Sequence, residues 1–489
     1  MAEKDGDMGK DTDADEGKHG DKEKEHHRRR HHEQRDAKHV VVVGGGFAGL
    51  GCARALAKRD DVRVTLVDRH NYHQFQPLLY QVATCQLASS DIAFNLRKIF
   101  RKHENVDVKM GEVTGVDPEA KRVTLEGGRT IEGDYLVLAA GSRPNFFGTP
   151  GAEHAFPLYS LDDAQRLRSR ILALFEDADR DPSLVDQGAL NFVIVGGGAT
   201  GVEVAGALSE MIRDVLPHEY QDLAVRAARV IVVDLGHSVL APFSASAHEY
   251  AAKMLQRDGV DLRLGTSVKE IGQGHALLSD GTTIPTHCVV WGGGIMASEL
   301  AGATGLSQGR GGRLDVEPDL TVDGHPEVYV PGDFANIPSP DGATFPQLGS
   351  VALQSGQWAA KNIEAELDGK HRRSFHYHDK GIMAMIGRNA AVAEMGAHHH
   401  ELHGTVAFAS WLGVHAYLMT GVRTRIDAFV QWGWDYFSKT RGPQVLDRSD
   451  SGRIDWDDGE DDDEGNRDDE GEATEPSGAE AEPATAAKS

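Results

Sequence analysis

The chain contains the same pattern of strand, glycine turn and helix twice, and this repeat limits the folds that it can adopt. The first copy runs from an apolar stretch at His39 into Gly44-x-Gly46-x-x-Gly49 and an alanine-rich helical segment. Glycines at this spacing allow a tight turn, the approach of a pyrophosphate and close packing of helix on strand. A second apolar strand ends in Asp68, 19 residues after Gly49, where a carboxylate can bind an adenosine ribose. This segment therefore predicts a dinucleotide site.

The second copy carries Gly196-x-Gly198-x-x-Gly201, and the strand that follows it also ends in an acid, Asp234. Two dinucleotide modules in one chain imply two dinucleotides. The simplest interpretation is a flavin that stays bound beside a nicotinamide that exchanges. Electron transfer is then the expected chemistry.

The second acid also bears on the choice of nicotinamide. A carboxylate at Asp234 can accept a hydrogen bond from a ribose 2′-hydroxyl, whereas it repels a 2′-phosphate. We therefore expect NADH rather than NADPH. Arg226 and Arg229 lie close by in the sequence and leave NADPH use open.

Two further segments fit the same architecture. Residues 130–144 form an apolar strand that ends in small residues, among them Ala140 and Gly141, as suits a chain that crosses between domains. Residues 321–333 form a strand that ends in Asp333 on a glycine turn. Beside two glycine loops, this carboxylate is expected to bind the sugar-alcohol portion of a flavin. An ordinary turn aspartate is the alternative.

Charge and cysteine content exclude several classes of protein. The net charge is −25, so nucleic-acid binding, which requires clustered cations, is not expected. Just over half of this charge lies in the tail, residues 446–489. This tail and the head, residues 1–38, are charged and poor in apolar residues, which predicts disorder. No signal peptide is recognisable. Three widely spaced cysteines predict no disulfide framework and a reducing compartment, and the histidine clusters are expected to bind no metal.

Together these segments resemble the two-dinucleotide-binding flavoproteins, in which a nicotinamide domain is inserted into an FAD domain. The resemblance implies an α/β fold with two Rossmann-like domains. Residues 39–150 and 311–375 would form the FAD domain, residues 151–310 the NADH domain, and residues 376–445 strands and membrane-surface helices. Non-covalent FAD and NADH would be held by Gly44, Gly46, Phe47, Ala48, Gly49, Asp68, Thr84, Ala140, Gly141, Asp333, Val351, Gly196, Gly198, Ala199, Gly201, Asp234 and Gly293.

The members of this family differ in their electron acceptor. Disulfide reductases carry a Cys-x4-Cys pair, which Cys52 and Cys85 do not form. Sulfide:quinone oxidoreductases use two or three cysteines, and they remain an alternative although Cys52 and Cys288 resemble buried apolar residues. Oxygen-reducing NADH oxidases use one cysteine near the flavin, a role open to Cys85. A flavoprotein sensor similar to apoptosis-inducing factors is an alternative of another class.

The strongest resemblance is to type II NADH:quinone oxidoreductases, which pass electrons to a membrane quinone in respiratory chains without pumping protons. It rests on residues 75–93, 196–203, 346–357 and 381–393. The resemblance implies that Glu203 assists proton delivery and that Gln354 binds the quinone headgroup. Glu203 as a capping or ribose-binding acid, and Gln354 as a flavin contact, are the alternatives.

The chain departs from the quinone motif of this family, Ala-Gln-x-x-x-Gln. The first glutamine would fall at Ser350, and Gln347, one turn earlier, is the candidate to replace it. The position after Thr84, which is commonly small, is Cys85. These departures concern the details of quinone contact.

The C-terminal segment predicts helices that lie on a membrane surface. Residues 404–422 lack a formal charge, but their glycines and polar residues make a poor transmembrane span. An apolar stripe continues to Phe437, and tryptophans and cations accompany it, as in interfacial helices. We expect peripheral attachment to the cytoplasmic face of the cell membrane. Packing on the protein core or a dimer seam is the alternative, so a homodimer stays open. The apolar stripe, the aromatic cluster and the cations expected at the lipid are Phe408, Leu412, Ala416, Met419, Val422, Ile426, Val430, Phe437, Trp411, Trp432, Trp434, Tyr436, Arg423, Arg425, Lys439 and Arg441.

Overall fold

Two mainly parallel sheets organise the residues that the structure, a computed structural model, describes. These are residues 37–396 and 399–446. They belong to one compact unit. Apart from residues 37, 38 and 446, the head and tail that the sequence predicts to be disordered lie outside the described residues.

The elements of the described residues are numbered in chain order. The strands are β1 (Lys38–Val43), β2 (Val62–Asp68), β3 (Tyr72–Gln74), β4 (Ala93–Asn95), β5 (Val106–Met110), β6 (Val113–Asp117), β7 (Arg122–Leu125), β8 (Thr130–Glu132), β9 (Tyr135–Leu138), β10 (Ser142–Pro144), β11 (Ala155–Pro157), β12 (Asn191–Val195), β13 (Arg229–Asp234), β14 (Val260–Leu264), β15 (Val268–Ile271), β16 (His275–Leu278), β17 (Thr283–Pro285), β18 (Cys288–Trp291), β19 (Ile295–Ala297), β20 (Leu314–Asp315), β21 (Thr321–Val322), β22 (His325–Tyr329), β23 (Ala335–Asn336), β24 (Gly381–Gly387), β25 (Ala390–Met395) and β26 (His400–His403). The α-helices are α1 (Phe47–Leu56), α2 (Leu79–Ala83), α3 (Ser89–Ile92), α4 (Leu96–Phe100), α5 (Leu161–Arg180), α6 (Ala199–Asp214), α7 (Ala245–Arg257), α8 (Gly349–Leu367), α9 (Gly404–Leu418) and α10 (Val422–Ser438).

The first sheet has the strand order β21-β22-β9-β1-β2-β5. Strand β1 lies at its centre and pairs in parallel with β2 and β9. Its valines, residues 40–43, are at most 4% exposed, as in a parallel strand covered on both faces. Helix α1 follows β1 directly, so its first turn lies at the carboxyl end of the central strand.

The second sheet repeats this arrangement in the order β11-β18-β12-β13-β14. Strand β12 pairs in parallel with β13 and β18, and helix α6 follows it. The strands of this sheet come from residues 155–291, between the strands that the first sheet takes from residues 38–138 and 321–329. An antiparallel pair of β10 and β19 connects the two parts. The predicted α/β fold with two Rossmann-like units is confirmed.

The C-terminal residues form the antiparallel strands β24, β25 and β26, followed by α9 and α10. Strand β24 packs against α6, and α9 packs against β25. Helix α10 buries Thr424, Ala428 and Trp432 at four-residue spacing. No helix in the described part of the chain is both long and apolar enough to cross a membrane.

Several side chains that the sequence predicts at the lipid lie inside the protein, so the prediction is wrong for them. Trp411, Ala416, Met419 and Trp432 are buried, because α9 and one face of α10 pack on the protein. Arg441 is only 5% exposed, because the chain turns inward after α10. The outward surface of α10 is still apolar. Its most exposed large side chains, at 56–86%, are Val422, Ile426, Val430, Trp434 and Phe437.

Candidate electron-transfer site

A cavity of about 1040 Å³ lies where the two sheets and the C-terminal elements meet. Residues 44–48 of the first glycine loop line one part of it, and the start of α6 lines another. Met383 of β24 and His415 of α9 also reach the cavity. One space therefore connects the two predicted dinucleotide modules with the C-terminal region.

The two glycine loops have the same backbone geometry. Gly44 and Gly196 have φ values of +97° and +105°, which glycine adopts at little cost. A Cβ atom at Gly49 would collide with the carbonyl oxygen of Gly44, and the second loop, residues 196–201, has the same close approach. By contrast, a Cβ atom at Gly46 would meet nothing within 4 Å. This open space at the N-terminus of α1 fits a pyrophosphate.

The acid after each second strand fixes the adjacent glycine loop. Asp68 accepts hydrogen bonds from the backbone N–H groups of Gly45 at 2.6 Å and His70 at 2.7 Å. Asp234 likewise accepts from Gly197 at 2.5 Å and Gly236 at 2.6 Å. Each carboxylate oxygen accepts one of these bonds and can accept another. The predicted ribose contacts remain predictions, and the acids also hold the loops in place.

Asp333 has few hydrogen-bond donors for a carboxylate that is half-buried at the cavity wall. Ser142 donates to its Oδ2 atom at 3.3 Å, and its Oδ1 atom accepts no hydrogen bond from the described residues. Burial raises the pKa of Asp333 to about 6. The residue lines the cavity, where hydroxyl groups of a bound molecule could supply the missing donors. This environment fits the sugar-alcohol chain of a flavin.

Glu203 places a carboxyl group in the cavity from the second turn of α6. Burial raises its pKa to about 8, although the backbone N–H of Met385 donates to its Oε1 atom at 3.2 Å. The indole of Trp411 lies close enough to lower the pKa slightly, but its N–H forms no hydrogen bond of normal geometry with the described residues. Glu203 is therefore mostly protonated at neutral pH.

His415 is a cavity residue that the sequence analysis missed. Its ring stacks on Trp411 with centroids 3.9 Å apart, and its Nδ1 atom is 2.8 Å from the Trp411 carbonyl oxygen. Because a carbonyl only accepts, Nδ1 carries the proton. Burial lowers the pKa of His415 to about 4, so the ring is neutral. A histidine in a stretch without formal charge was the available signal, but the sequence could not place it against the cavity.

The predicted site residues divide into two groups. Those that line the cavity are Gly44, Gly46, Phe47, Ala48, Asp68, Ala140, Gly141, Ala199, Glu203 and Asp333. Those that do not line it are Gly49, Thr84, Gly196, Gly198, Gly201, Asp234, Gly293, Val351 and Gln354. The second glycine loop lies beside the cavity and has the same open position, since a Cβ at Gly198 would meet nothing within 4 Å.

Gln354 is engaged away from the cavity. Its amide donates to the carbonyl of His378 at 3.0 Å and accepts from the N–H of the same residue at 2.9 Å. To contact a quinone it would have to break this pair. Gln347 does line the cavity and donates to the backbone carbonyl of Asp333 at 3.1 Å. Ser350 instead hydrogen-bonds to Tyr377 at 2.8 Å. The role of Gln354 remains a prediction, and the geometry favours Gln347.

Comparison with known proteins identifies the family. Residues 38–356 match the model of the pyridine nucleotide-disulphide oxidoreductase family. Type II NADH:quinone oxidoreductase Ndh of Mycobacterium tuberculosis is 38% identical over 424 residues, which cover 83% of this chain and 90% of the relative. The Haemophilus influenzae type II NADH:quinone oxidoreductase is 29% identical, with 73% and 87% of the two chains covered. The chain belongs to the type II NADH:quinone oxidoreductases.

Solved structures support the fold assignment. NDH2 from Plasmodium falciparum in complex with NADH superimposes with a TM-score of 0.76 at 18% identity, covering 83% of this chain and 99% of the other. The sulfide:quinone oxidoreductase of Aquifex aeolicus gives a TM-score of 0.64 at 19% identity, with 82% and 96% covered. At these identities the likeness concerns the fold.

The cysteines of this family member are poorly suited to thiol chemistry. Cys52, Cys85 and Cys288 are at most 1% exposed, and none of them is among the described residues that line the cavity. Burial raises the pKa of Cys85 to about 11 and those of the other two thiols to about 12. Since the thiolate is the reactive form, the geometry argues against cysteine-based electron transfer.

The raised pKa of Glu203 predicts a pH-dependent effect on stability. The ordinary pKa of a glutamate is 4.5, and that of Glu203 in the folded protein is about 8. Between these two pH values the folded protein keeps a proton that the unfolded chain releases, so the free energy of unfolding falls as the pH rises. E203Q lacks this effect. We expect the melting temperature of E203Q to rise relative to that of the unmodified protein from about pH 5 to about pH 8 and then to level off.

The measurement is a series of thermal melts across this range of pH. E126Q, which alters an exposed carboxylate, serves as the control and should follow the unmodified protein throughout. Parallel curves for E203Q and the unmodified protein would contradict the assigned pKa.

Proposed function

We propose that this protein is an NADH:quinone oxidoreductase that uses non-covalent FAD and reduces a membrane quinone without pumping protons. The observation that supports it most is the cavity that joins both dinucleotide modules to strand β24 and helix α9 of the C-terminal region. A bound flavin would accept a hydride from NADH and pass two electrons to a quinone. The residues of the chain orient both partners and supply protons.

The choice of cofactors rests on the two strand-end acids. A flavin with an adenosine half uses the ribose site at Asp68 and the pyrophosphate site at the N-terminus of α1. For the nicotinamide, Asp234 favours a free 2′-hydroxyl. Arg229 donates to Asp261 at 3.2 Å, so its guanidinium already has an acidic partner other than the 2′-phosphate of NADPH. FAD and NADH are therefore the proposed pair.

Glu203 is the proposed proton donor to the quinone. Reduction of a quinone to a quinol takes up two electrons and two protons, so a proton source must lie near the headgroup. Glu203 lines the cavity and is protonated at neutral pH, since its pKa is about 8. Neutral His415 lies at the same cavity, where its unprotonated Nε2 atom can accept a hydrogen bond from a hydroxyl of the quinol product. Gln347 is the proposed amide contact, with Gln354 as the alternative from the sequence.

The outward surface of α10 is the proposed membrane contact. Val422, Ile426, Val430 and Phe437 are more than half exposed, which is unusual for so many apolar side chains on one helix. Arg423, whose side chain is 92% exposed, provides a cation for anionic lipid. This surface predicts peripheral attachment. The cytoplasmic face and a homodimer remain predictions of the sequence.

Steady-state kinetics test the proposed reaction. The purified protein should oxidise NADH rapidly with a soluble quinone and slowly with oxygen alone. The reason is that the quinone binds in the cavity and no thiol takes part in electron transfer. C85A should retain quinone turnover, and sulfide should not replace NADH as the donor. Turnover with oxygen but none with quinone would reject the proposal, and loss of turnover in C85A would favour a cysteine-dependent mechanism.

Vesicle flotation tests the membrane contact. The double variant I426E/V430E places two charges on the outward surface of α10 and should bind vesicles containing anionic lipid at least about tenfold more weakly, since each charge must otherwise enter the interface. M110E is the control, because Met110 is 64% exposed but lies at the end of β5. Equal binding of I426E/V430E and M110E would contradict the assignment.

A further inference from the structure

The chain turns back into the protein immediately after α10. Lys439 closes this helix in the left-handed conformation, with φ at +55°, and its N–H donates to the Asp435 carbonyl at 3.2 Å. Such a residue reverses the chain direction at a helix end. Two residues later, Arg441 is 5% exposed. The reversal thus brings a guanidinium group into the interior.

Arg441 joins two segments that contribute side chains to the cavity. Its guanidinium donates one hydrogen bond to the carbonyl of Thr84 and another, at 2.9 Å, to the carbonyl of Ala207. Thr84 follows helix α2, and its hydroxyl donates to the carbonyl of Tyr80 at 2.8 Å. Ala207 lies one turn beyond Glu203 on α6. Tyr80 and Glu203 both line the cavity, so Arg441 spans the backbone behind two of its walls.

A second arginine connects α10 to the same helix α6. Arg388, in the turn between β24 and β25, donates to the Glu210 carboxylate at 2.8 Å and 3.2 Å. It also donates to the carbonyls of Asp435 at 3.3 Å and Tyr436 at 3.1 Å, near the end of α10. The end of α10 is therefore fixed to the helix that carries Glu203.

Helix α10 also contacts the Tyr80 side of the cavity directly. The indole N–H of Trp432 donates to Gln81 at 2.7 Å, and the Gln81 amide donates to the Tyr80 hydroxyl at 3.0 Å. The helix with the exposed apolar surface is thus linked to the Tyr80 hydroxyl through the side chain of Gln81. Arg441 is the residue that links this side to the Glu203 side.

Burial of Arg441 requires a physical reason. A buried cation is costly unless hydrogen bonds and nearby charges compensate for lost solvation. Its burial lowers the pKa of Arg441, and the nearby acids Glu210 and Asp435 oppose this shift. An apolar side chain could fill the same space without that cost, but it could not hold two carbonyl groups at a fixed separation.

We propose that Arg441 is a positioning residue for quinone reduction, which fixes the Tyr80 and Glu203 walls of the cavity relative to each other and to helix α10. The inference rests on the proposed function and adds a residue that does not itself line the cavity. Quinone binding should depend on Arg441, because both walls lie against C-terminal elements: Tyr80 packs edge-on against Trp411 of α9, and Glu203 accepts from Met385 of β24. Transfer from NADH to the flavin should not.

The test compares R441Q and R441K with the unmodified holoprotein. Calorimetry gives the Kd of a short-chain soluble quinone in the absence of NADH, and anaerobic stopped-flow absorbance gives the rate of flavin reduction by NADH. We expect R441Q to weaken quinone binding and raise the quinone KM by about tenfold or more, since two buried carbonyls lose their donor. Flavin reduction should change by less than about twofold, and R441K should recover part of the quinone affinity.

R180Q is the matched control, because the Arg180 side chain is 61% exposed at the end of α5 and pairs with Asp177. It should bind quinone like the unmodified protein. An unchanged quinone Kd and KM in R441Q would overturn the proposal, as would an equal loss in both half-reactions, which indicates a general structural role. If R441Q does not fold, an unchanged quinone KM in R441K overturns it. Failure of the unmodified protein to reduce quinone would instead reject the proposed function.

Discussion

The hydrogen bond between a strand-end carboxylate and the middle of a glycine loop is the interaction on which the rest of the structure depends. Asp68 holds Gly45, and Asp234 holds Gly197, with nearly the same distances. Each bond ties a loop to the neighbouring strand and so sets the direction of the helix that follows. Because α1 and α6 start from these loops, the same contact determines where a pyrophosphate can bind and where Glu203 enters the cavity.

The cavity itself depends on contacts between residues far apart in the sequence. Glu203 comes from the second Rossmann-like unit, Asp333 from the return of the chain to the first sheet, and His415 from the C-terminal helices. Burial affects the three groups differently: it raises the pKa of Glu203 to about 8 and that of Asp333 to about 6, and it lowers that of His415 to about 4. A protonated acid and a neutral imidazole therefore line the same cavity, and the protonated acid can deliver a proton there.

The sequence predicted what depends on local patterns. The glycine loops and the strand-end acids could be recognised because turn geometry and strand ends leave fixed spacings, as at Gly44 and Asp68. The C-terminal helices were harder, since an apolar stripe does not tell which face meets the protein and which stays exposed. Trp432 and Arg441 were therefore placed at the lipid although both are buried.

Side-chain hydrogen bonds to distant backbone could not be predicted from the sequence at all. The pairing of Gln354 with His378 removes this glutamine from the cavity, and no spacing rule signals it. The contact of Arg441 with Ala207 joins residues 234 positions apart. Such contacts depend on how whole helices and strands pack, so neither the sequence motifs nor the resemblance to a family reveals them.

The most direct test of the account follows the flavin absorbance through both half-reactions under anaerobic conditions, in the unmodified protein and in E203Q. We expect about one NADH per flavin to bleach the absorbance equally fast in both proteins, and a soluble quinone to restore it more slowly in E203Q. Bleaching by NADH without reoxidation by quinone in the unmodified protein would contradict quinone as the electron acceptor. An unchanged quinone step in E203Q would contradict the assignment of Glu203 as the proton donor.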